Sequence, residues 1–119
     1  MGKGRPTGRN EESGMMKKIR VGLIFGGRSG EHEVSLQSAR SILTNLDPAR
    51  FDVIQIAIDH KGRWFSGTDA LSALEAGELS RLESVTLLPE YNNHQLFVRR
   101  GTTVEPYADL DVVIPALHG

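Results

Sequence analysis

Three successive patterns of apolar and polar positions organise the first part of the chain. Residues 19–25 (IRVGLIF) are mostly apolar and rich in β-branched and aromatic side chains, which predicts a buried β-strand. Residues 26–30 (GGRSG) hold three glycines, whose backbone can adopt positive φ or approach a ligand closely. Apolar side chains then recur at helical spacing, at Leu36, Ala39, Leu43 and Leu46. A strand, a glycine turn and an amphipathic helix predict the opening of a βαβ unit, in which ligands bind at the turn.

The middle of the chain predicts a second strand and a second helix. Residues 47–50 (DPAR) end the first helix, because proline disfavours the helical conformation in the residue before it. Residues 51–58 (FDVIQIAI) alternate and then become wholly apolar, which predicts a strand in a sheet covered on both faces. A tight turn at 59–62 and a short partner strand at 63–65 follow. A short helix is predicted at 68–77, with Thr68 or Asp69 as its N-cap and Gly77 as its C-cap.

The last third of the chain gives weaker patterns until a final buried strand. Residues 84–88 and 96–98 are predicted as strands within a polar, irregular region. Residues 111–117 (DVVIPAL) predict a buried strand that leads to His118 and Gly119. Because a central strand of a parallel sheet normally continues into a covering loop and helix, we expect a piece of a longer protein. Together the elements predict an α/β fold with a mainly parallel sheet flanked by helices.

Composition narrows the classes of function. The 119 residues suffice for one domain, and without cysteine the chain has no disulfides, thiolate metal sites or cysteine nucleophile. A formal net charge of −1 gives no electrostatic basis for binding nucleic acid or an anionic membrane. No apolar run approaches the roughly 20 residues of a membrane span, and the N-terminus lacks the apolar segment of a secretory signal. We therefore expect a cytoplasmic protein with a disordered tail at residues 1–17, and with neither nucleic acid nor membrane as a partner.

The glycine turn departs from the common nucleotide and nucleophile motifs. It has neither the G-x-G-x-x-G spacing of dinucleotide-binding folds nor the closing Lys-Ser or Lys-Thr of a Walker loop. Residues 27–30 match the nucleophile elbow G-x-S-x-G only until Glu31. A hydrolase triad of Ser29, Asp111 and His118 is therefore disfavoured, and Ser29 is interpreted as the N-cap of the helix.

Acidic and apolar side chains beside the turn allow two interpretations. Glu31 and Glu33 lie in or just before the first helical turn, where periodicity alone favours dipole stabilisation over holding a substrate ammonium. Val34 lies off the apolar stripe, and a core contact is favoured over the wall of a pocket. His118 follows a buried strand at the carboxyl edge, where open α/β sheets bind ligands, so Glu31 and His118 form a candidate pair. The other histidines are predicted to be solvated loop residues: His32, His60 and His94.

The same residues resemble a known family. Residues 21–39 (VGLIFGGRSGEHEVSLQSA) are similar to the N-terminal signature of D-alanine–D-alanine ligases, with S-x-E-x-E-V-S as its distinctive core. Residues 50–53, the turn around 58–64 and the closing 114–119 (IPALHG) resemble the family in order and spacing. The resemblance covers nearly all of residues 18–119. It implies a Rossmann-like pre-ATP-grasp domain that binds substrate.

The resemblance also implies a reaction. Enzymes of this family use ATP to phosphorylate the carboxylate of one D-alanine, and the amine of a second D-alanine attacks the acyl phosphate to form a dipeptide for peptidoglycan. ATP and Mg²⁺ are bound by central and ATP-grasp domains that this sequence does not contain, so the chain alone is expected to do no chemistry. We expect a homodimer for the full-length enzyme. The alternatives are a D-alanine–D-lactate or D-alanine–D-serine ligase, and a stand-alone Rossmann-like binding module.

Three residues receive roles from the resemblance. Glu31 becomes the catalytic and substrate-binding acid that holds the ammonium of the first D-alanine, Val34 lines the same subsite, and His118 lies beside that substrate. No residue of this chain is assigned to a cofactor or a metal ion. For Glu31 and Val34 these roles replace the interpretations that periodicity favours.

Overall fold

The computed structural model describes residues 17–28, 30–90 and 93–116. All but the last residue of the predicted tail at 1–17 therefore lies outside the described residues. The described elements are, in chain order, β1 (Ile19–Gly26), α1 (His32–Asn45), β2 (Phe51–Ile58), β3 (Trp64–Ser66), α2 (Ala70–Ala76), a short 3₁₀ helix (Leu79–Arg81), β4 (Glu83–Glu90), β5 (Asn93–Arg100), β6 (Thr103–Leu110) and β7 (Val112–Pro115).

The strands form one mixed sheet in the order β6-β5-β4-β3-β2-β1-β7. Strand β1 pairs in parallel with both β2 and β7, whereas the pairs from β2 through β6 are antiparallel. The predicted α/β class is confirmed, and the predicted parallel pairing holds for three strands. The antiparallel extension is longer than the sequence patterns indicate, because β4 and β5 each have eight residues and β6 was not predicted.

The two faces of the parallel strands are covered differently. On one face, Leu23 and Phe25 of β1 pack with side chains of both helices, including Leu36 and Leu71. On the other face, Ile24 and Ile56 pack against side chains of the antiparallel strands, namely Val85, Leu96 and Leu110. Fully burying one such side chain contributes about 1.5–3 kcal/mol. The prediction that β2 is covered on both faces is confirmed at its carboxyl end, where residues 56–58 are buried.

The antiparallel strands fold back over β1. A Cβ added at Gly22 would lie 2.6 Å from Cδ1 of Leu110, so glycine leaves room for the Leu110 side chain of β6 to pack against β1. The backbone N–H of Asp111 donates to the carbonyl of Arg20 at 2.8 Å, which fixes the start of β7 beside β1. We call β4, β5 and β6 the meander. The meander covers the face of the parallel strands that a second layer of helices covers in a doubly wound sheet.

The helix boundaries follow the predicted stop residues. Helix α1 ends at Asn45 and its C-cap Leu46 is extended, two residues before Pro48. Helix α2 has Asp69 as N-cap and Gly77 as C-cap, and Gly77 has φ 74°. Both predicted boundaries are confirmed, although Asp69 makes no side-chain capping hydrogen bond. Within the described ranges, no helix is long and apolar enough to cross a membrane.

Candidate functional site

The turn after β1 needs glycine because it presses against the end of β2. Gly26 and Gly27 have φ values of 95° and 110°, a region that side chains rarely enter. The N–H of Gly27 donates to the carbonyl of Ile58 at 2.9 Å. A Cβ at Gly26 would collide with that same carbonyl oxygen. The glycines therefore let the chain turn from β1 towards α1 while the end of β2 holds the turn in place.

Helix α1 begins beside this turn with two acids. Glu31 is the N-cap residue, with φ −92° and ψ 16°, and its carbonyl accepts the N–H of Ser35 at 3.0 Å. Glu33 lies in the first helical turn, so the predicted placement of both acids is confirmed. The interpretation of Ser29 as the N-cap is wrong because Glu31 has that position, and Ser29 itself lies outside the described residues.

Val34 lies at the protein surface. Its side chain is 42% exposed, so the interpretation of Val34 as a core contact is wrong. Glu31 is also exposed. An acid and an apolar side chain are thus both exposed at the start of α1. Their roles towards a substrate stay predictions.

Ser35 joins the three elements that meet at the turn. Its side chain is completely buried. Its Oγ accepts the N–H of Gly26, at the end of β1, at 2.8 Å. The same hydroxyl donates to the carbonyl of Ala116, the residue after β7. One side chain of α1 is therefore bonded to the carboxyl ends of two neighbouring strands.

His32 also holds the glycine turn. It is buried, and its Nδ1–H donates to the carbonyl of Gly27 at 2.7 Å. Its ring stacks on that of His60, with centroids 3.9 Å apart and planes at 26°. The prediction of a solvated His32 is therefore wrong, whereas His60 is exposed as predicted. The side chain of His94 lies outside the description.

The end of β7 lies beside the end of β1. Ile24 is level with Pro115 in the parallel pair, and the N–H of Ala116 donates to the carbonyl of Ile24 at 2.7 Å. The carboxyl ends of β1 and β7 therefore lie side by side. His118 follows Ala116 by two residues and lies outside the described residues, so its pairing with Glu31 stays a prediction.

The parallel direction of β1 and β7 places Asp111 too far from the glycine turn for a hydrolase triad. Asp111 precedes β7, and its Oδ2 accepts the N–H of Arg20 at 2.8 Å, near the amino end of β1. The glycine turn lies at the opposite, carboxyl end of β1. Because β1 and β7 are parallel and a strand rises about 3.3 Å per residue, Asp111 is separated from the turn by the length of the paired strands. Asp111 is thus a structural residue.

A cavity of about 450 Å³ lies on the helix side of the turn. Its lining includes Glu33, His60 and the buried Asp59. Burial alone raises the pKa of Asp59, but hydrogen bonds from the backbone and guanidinium of Arg63 and from the N–H of Lys61 outweigh it, so this pKa lies below its ordinary value. Asp59 is therefore an ionised carboxylate that fixes the β2–β3 turn. The predicted tight turn is confirmed, with the N–H at position 62 bonded to the Asp59 carbonyl at 3.0 Å.

The apolar stripe of α1 could have revealed the burial of both positions that sequence reasoning missed, Ser35 and His32. Ser35 lies next to Leu36 on the apolar stripe of α1, and a polar residue on a buried stripe needs a hydrogen-bond partner. His32, four residues before Leu36, extends the same stripe, but the pattern does not show that its ring stacks on His60, which is distant in sequence.

Comparison with known proteins gives a consistent result. A family model described as "D-ala D-ala ligase N-terminus" matches residues 20–119. D-alanine–D-alanine ligase of Natranaerobius thermophilus is 46% identical over 105 residues, covering 87% of this chain and 28% of that protein. D-alanine–D-alanine ligase A of Chromobacterium violaceum is 44% identical over 110 residues, covering 87% and 30%.

A solved structure has the same fold. The VanG D-Ala:D-Ser ligase of Enterococcus faecalis superposes with a TM-score of 0.72 at 28% identity, covering 87% of this chain and 30% of that one. The chain therefore spans less than a third of the length of the proteins that it matches.

Proposed function

We propose a function from one premise: the chain belongs to the family of D-alanine–D-alanine ligase N-termini, whose model matches residues 20–119. Residues 18–119 are the N-terminal substrate-binding domain of an ATP-dependent ligase that joins two D-alanines for peptidoglycan precursors. The observation that carries this proposal is the position of Glu31. It is the N-cap of α1, where that helix meets the adjacent ends of β1 and β7.

Glu31 holds the ammonium of the first D-alanine in this proposal. Charge-assisted hydrogen bonds to a carboxylate contribute about 1.5–3 kcal/mol, more than neutral ones. The exposed Val34 gives the same subsite an apolar wall for the methyl group of D-alanine. His118 completes the subsite from β7, since it follows Ala116, which Ser35 fixes beside β1.

ATP and Mg²⁺ are assigned outside this chain. The described residues include no group of three or more His, Cys, Asp or Glu side chains that could hold a metal ion. In this proposal none of the described residues has a role towards the nucleotide or the metal. A cytoplasmic location and a homodimeric full-length enzyme belong to the same proposal.

A second candidate differs only in the second substrate. The structural similarity to a ligase named for D-Ala and D-Ser supports a D-alanine–D-serine ligase. Both candidates assign the first D-alanine to Glu31. The subsite at the start of α1 therefore has the same role in either enzyme.

A graft tests the proposal. Residues 18–119 replace the aligned segment of the Chromobacterium violaceum ligase, which is 44% identical to this chain over 110 residues. We expect this graft to release phosphate from ATP when D-alanine is added and to form the dipeptide, with D-serine and D-lactate as competing second substrates. A folded graft that binds ATP but forms no dipeptide, beside an active parent enzyme, would contradict the proposal.

A further inference from the structure

We propose that Ser35 is a positioning residue, which sets the distance between Glu31 and the carboxyl end of β7. This inference rests on the proposed function, in which one side of the D-alanine subsite comes from the start of α1 and the other from the end of β7. Ser35 touches no substrate in this proposal. It acts through the backbone on either side of the subsite.

The hydrogen bonds of Ser35 use both capacities of a hydroxyl. A serine hydroxyl has one hydrogen to donate and lone pairs to accept with. Here it accepts from the N–H of Gly26 at 2.8 Å and donates to the carbonyl of Ala116. Because Ser35 is completely buried, water does not reach its hydroxyl to replace either bond.

The same residue fixes the start of α1. The N–H of Ser35 donates to the carbonyl of Glu31 at 3.0 Å, which is the first hydrogen bond of the helix. Glu31 therefore lies one helical turn from the hydroxyl that grips both strand ends. Any shift of α1 relative to β1 and β7 must break a bond of Ser35, so the helix start and the strand ends move as one unit.

Ala116 is the link to the other side of the subsite. It is 6% exposed, and its N–H is bonded to the carbonyl of Ile24 at 2.7 Å. Ser35 binds its carbonyl, on the side that leads towards His118. Without the Ser35 hydroxyl, the chain after β7 keeps the bond to β1 but loses the one to α1. The end of β7 then loses its fixed spacing from the start of α1, while the sheet itself remains paired.

Ser66 supplies a matched control. It is also a buried serine, 1% exposed, and its Oγ donates to the carbonyl of Gln55 at 2.6 Å. It lies on β3, among the antiparallel pairs and away from the glycine turn. Replacing either serine by alanine deletes the same atoms from a buried site, so differences between the two variants report on position.

The experiment compares Ser35→Ala, Ser35→Cys and Ser66→Ala in the graft. We expect Ser35→Ala to raise the KM for the first D-alanine about tenfold with a smaller change in kcat, because loosened spacing weakens orientation of the substrate. Ser35→Cys, whose thiol is a weak donor and acceptor of similar shape, should give an intermediate KM. Ser66→Ala should lower the Tm comparably but keep this KM within about twofold of the unmutated graft, since distant sites act independently.

A second measurement uses the 119-residue chain without any ligase activity. We expect Ser35→Ala, but not Ser66→Ala, to speed hydrogen exchange of the Gly26 amide about tenfold or more relative to amides in the middle of β1. An unmutated graft that is folded and binds ATP but forms no dipeptide overturns the proposed function. An active one in which Ser35→Ala and Ser66→Ala have the same KM overturns the positioning role alone, as does an unchanged Gly26 exchange rate.

Discussion

The parallel strands with α1 and the antiparallel meander have different roles in the same sheet. Where β1, β2 and β7 meet α1, glycines, the buried Ser35 hydroxyl and stacked histidines fix the backbone at the strand ends. In the meander, β6 is exposed along most of its length, and only its last residue, Leu110, is buried. The contrast shows which half of the sheet must be exact in geometry and which half needs only to cover an apolar face.

The charged side chains of the two regions differ in burial. At the junction of β2 and β3, the buried Asp59 accepts hydrogen bonds from two backbone N–H groups and from the side chain of Arg63. In the meander, Arg100 pairs with Glu83 and Glu105, and all three side chains are about half exposed. Exposed pairs contribute about 0–1 kcal/mol, so the meander depends on its buried apolar side chains.

The largest difference is expected between two glycines. Gly26→Ala should lower the free energy of unfolding by more than about 3 kcal/mol, because strain at positive φ adds to a backbone clash with Ile58. Gly101, in the β5–β6 turn, also has positive φ, 63°, but a Cβ added there would meet no described atom within 4 Å. Gly101→Ala should therefore cost only about 1–2 kcal/mol.

Urea unfolding of the 119-residue chain measures both glycine variants. The slope of the free energy against urea should stay constant, so that a shifted midpoint reports stability. Equal losses in the two variants would mean that the turn after β1 is no more constrained than an ordinary hairpin turn.

A pH-dependent difference is expected at Asp59. Its pKa in the folded protein lies below the ordinary value of 3.8, so its stabilising contribution is complete above that value and is lost as pH falls through the folded pKa. Asp59→Asn should therefore cost about 1–3 kcal/mol at pH 7 and progressively less below pH ~3.8. This cost is measured from unfolding curves of the unmutated chain and of Asp59→Asn, recorded from about pH 2 to about pH 7. A cost that stays constant over the range would contradict the ionised role.

The smallest effect is expected in the meander. Arg100→Gln removes both exposed ion pairs with Glu83 and Glu105 and should change the free energy of unfolding by less than about 1 kcal/mol. The change should shrink further in high salt, which screens exposed charges. A loss as large as that of Asp59→Asn would show that the meander, too, depends on specific charge contacts.

Local patterns were sufficient for β1, α1 and β2, whereas β7, predicted as a buried strand at 111–117, is an edge strand whose residues 112–115 are half-buried or exposed. The apolar period of β1, the glycines after it and the stripe of α1 all describe neighbours in sequence, and Pro48 marks the end of that helix. Strand β6 of the meander escaped prediction because it is polar on its exposed side and includes Pro106. Its pairing with β5 also shifts register between Leu96 and Phe97, which interrupts any simple alternation.

The residues of the candidate site also differ in how far the sequence could predict their roles. The resemblance to a family pointed to Glu31 and Val34, and periodicity alone favoured other roles for both. Ser35 and His32 act through contacts with Ala116 and His60, and such contacts between distant segments follow from the folded topology. A sequence pattern could show that Ser35 is buried, but not which two strand ends it joins.

The most direct measurement compares Glu31→Gln with Glu33→Gln in the active graft. Both residues lie at the start of α1, but Glu33 lines the cavity towards His60. If Glu31 holds the substrate ammonium, Glu31→Gln should lower kcat/KM for the first D-alanine about tenfold or more, because an amide cannot replace the charge. Glu33→Gln should leave kcat/KM within about twofold of the unmutated graft and change the Tm only slightly. Near-normal kcat/KM in Glu31→Gln would contradict the assignment and make Glu31 an ordinary acid of the helix start.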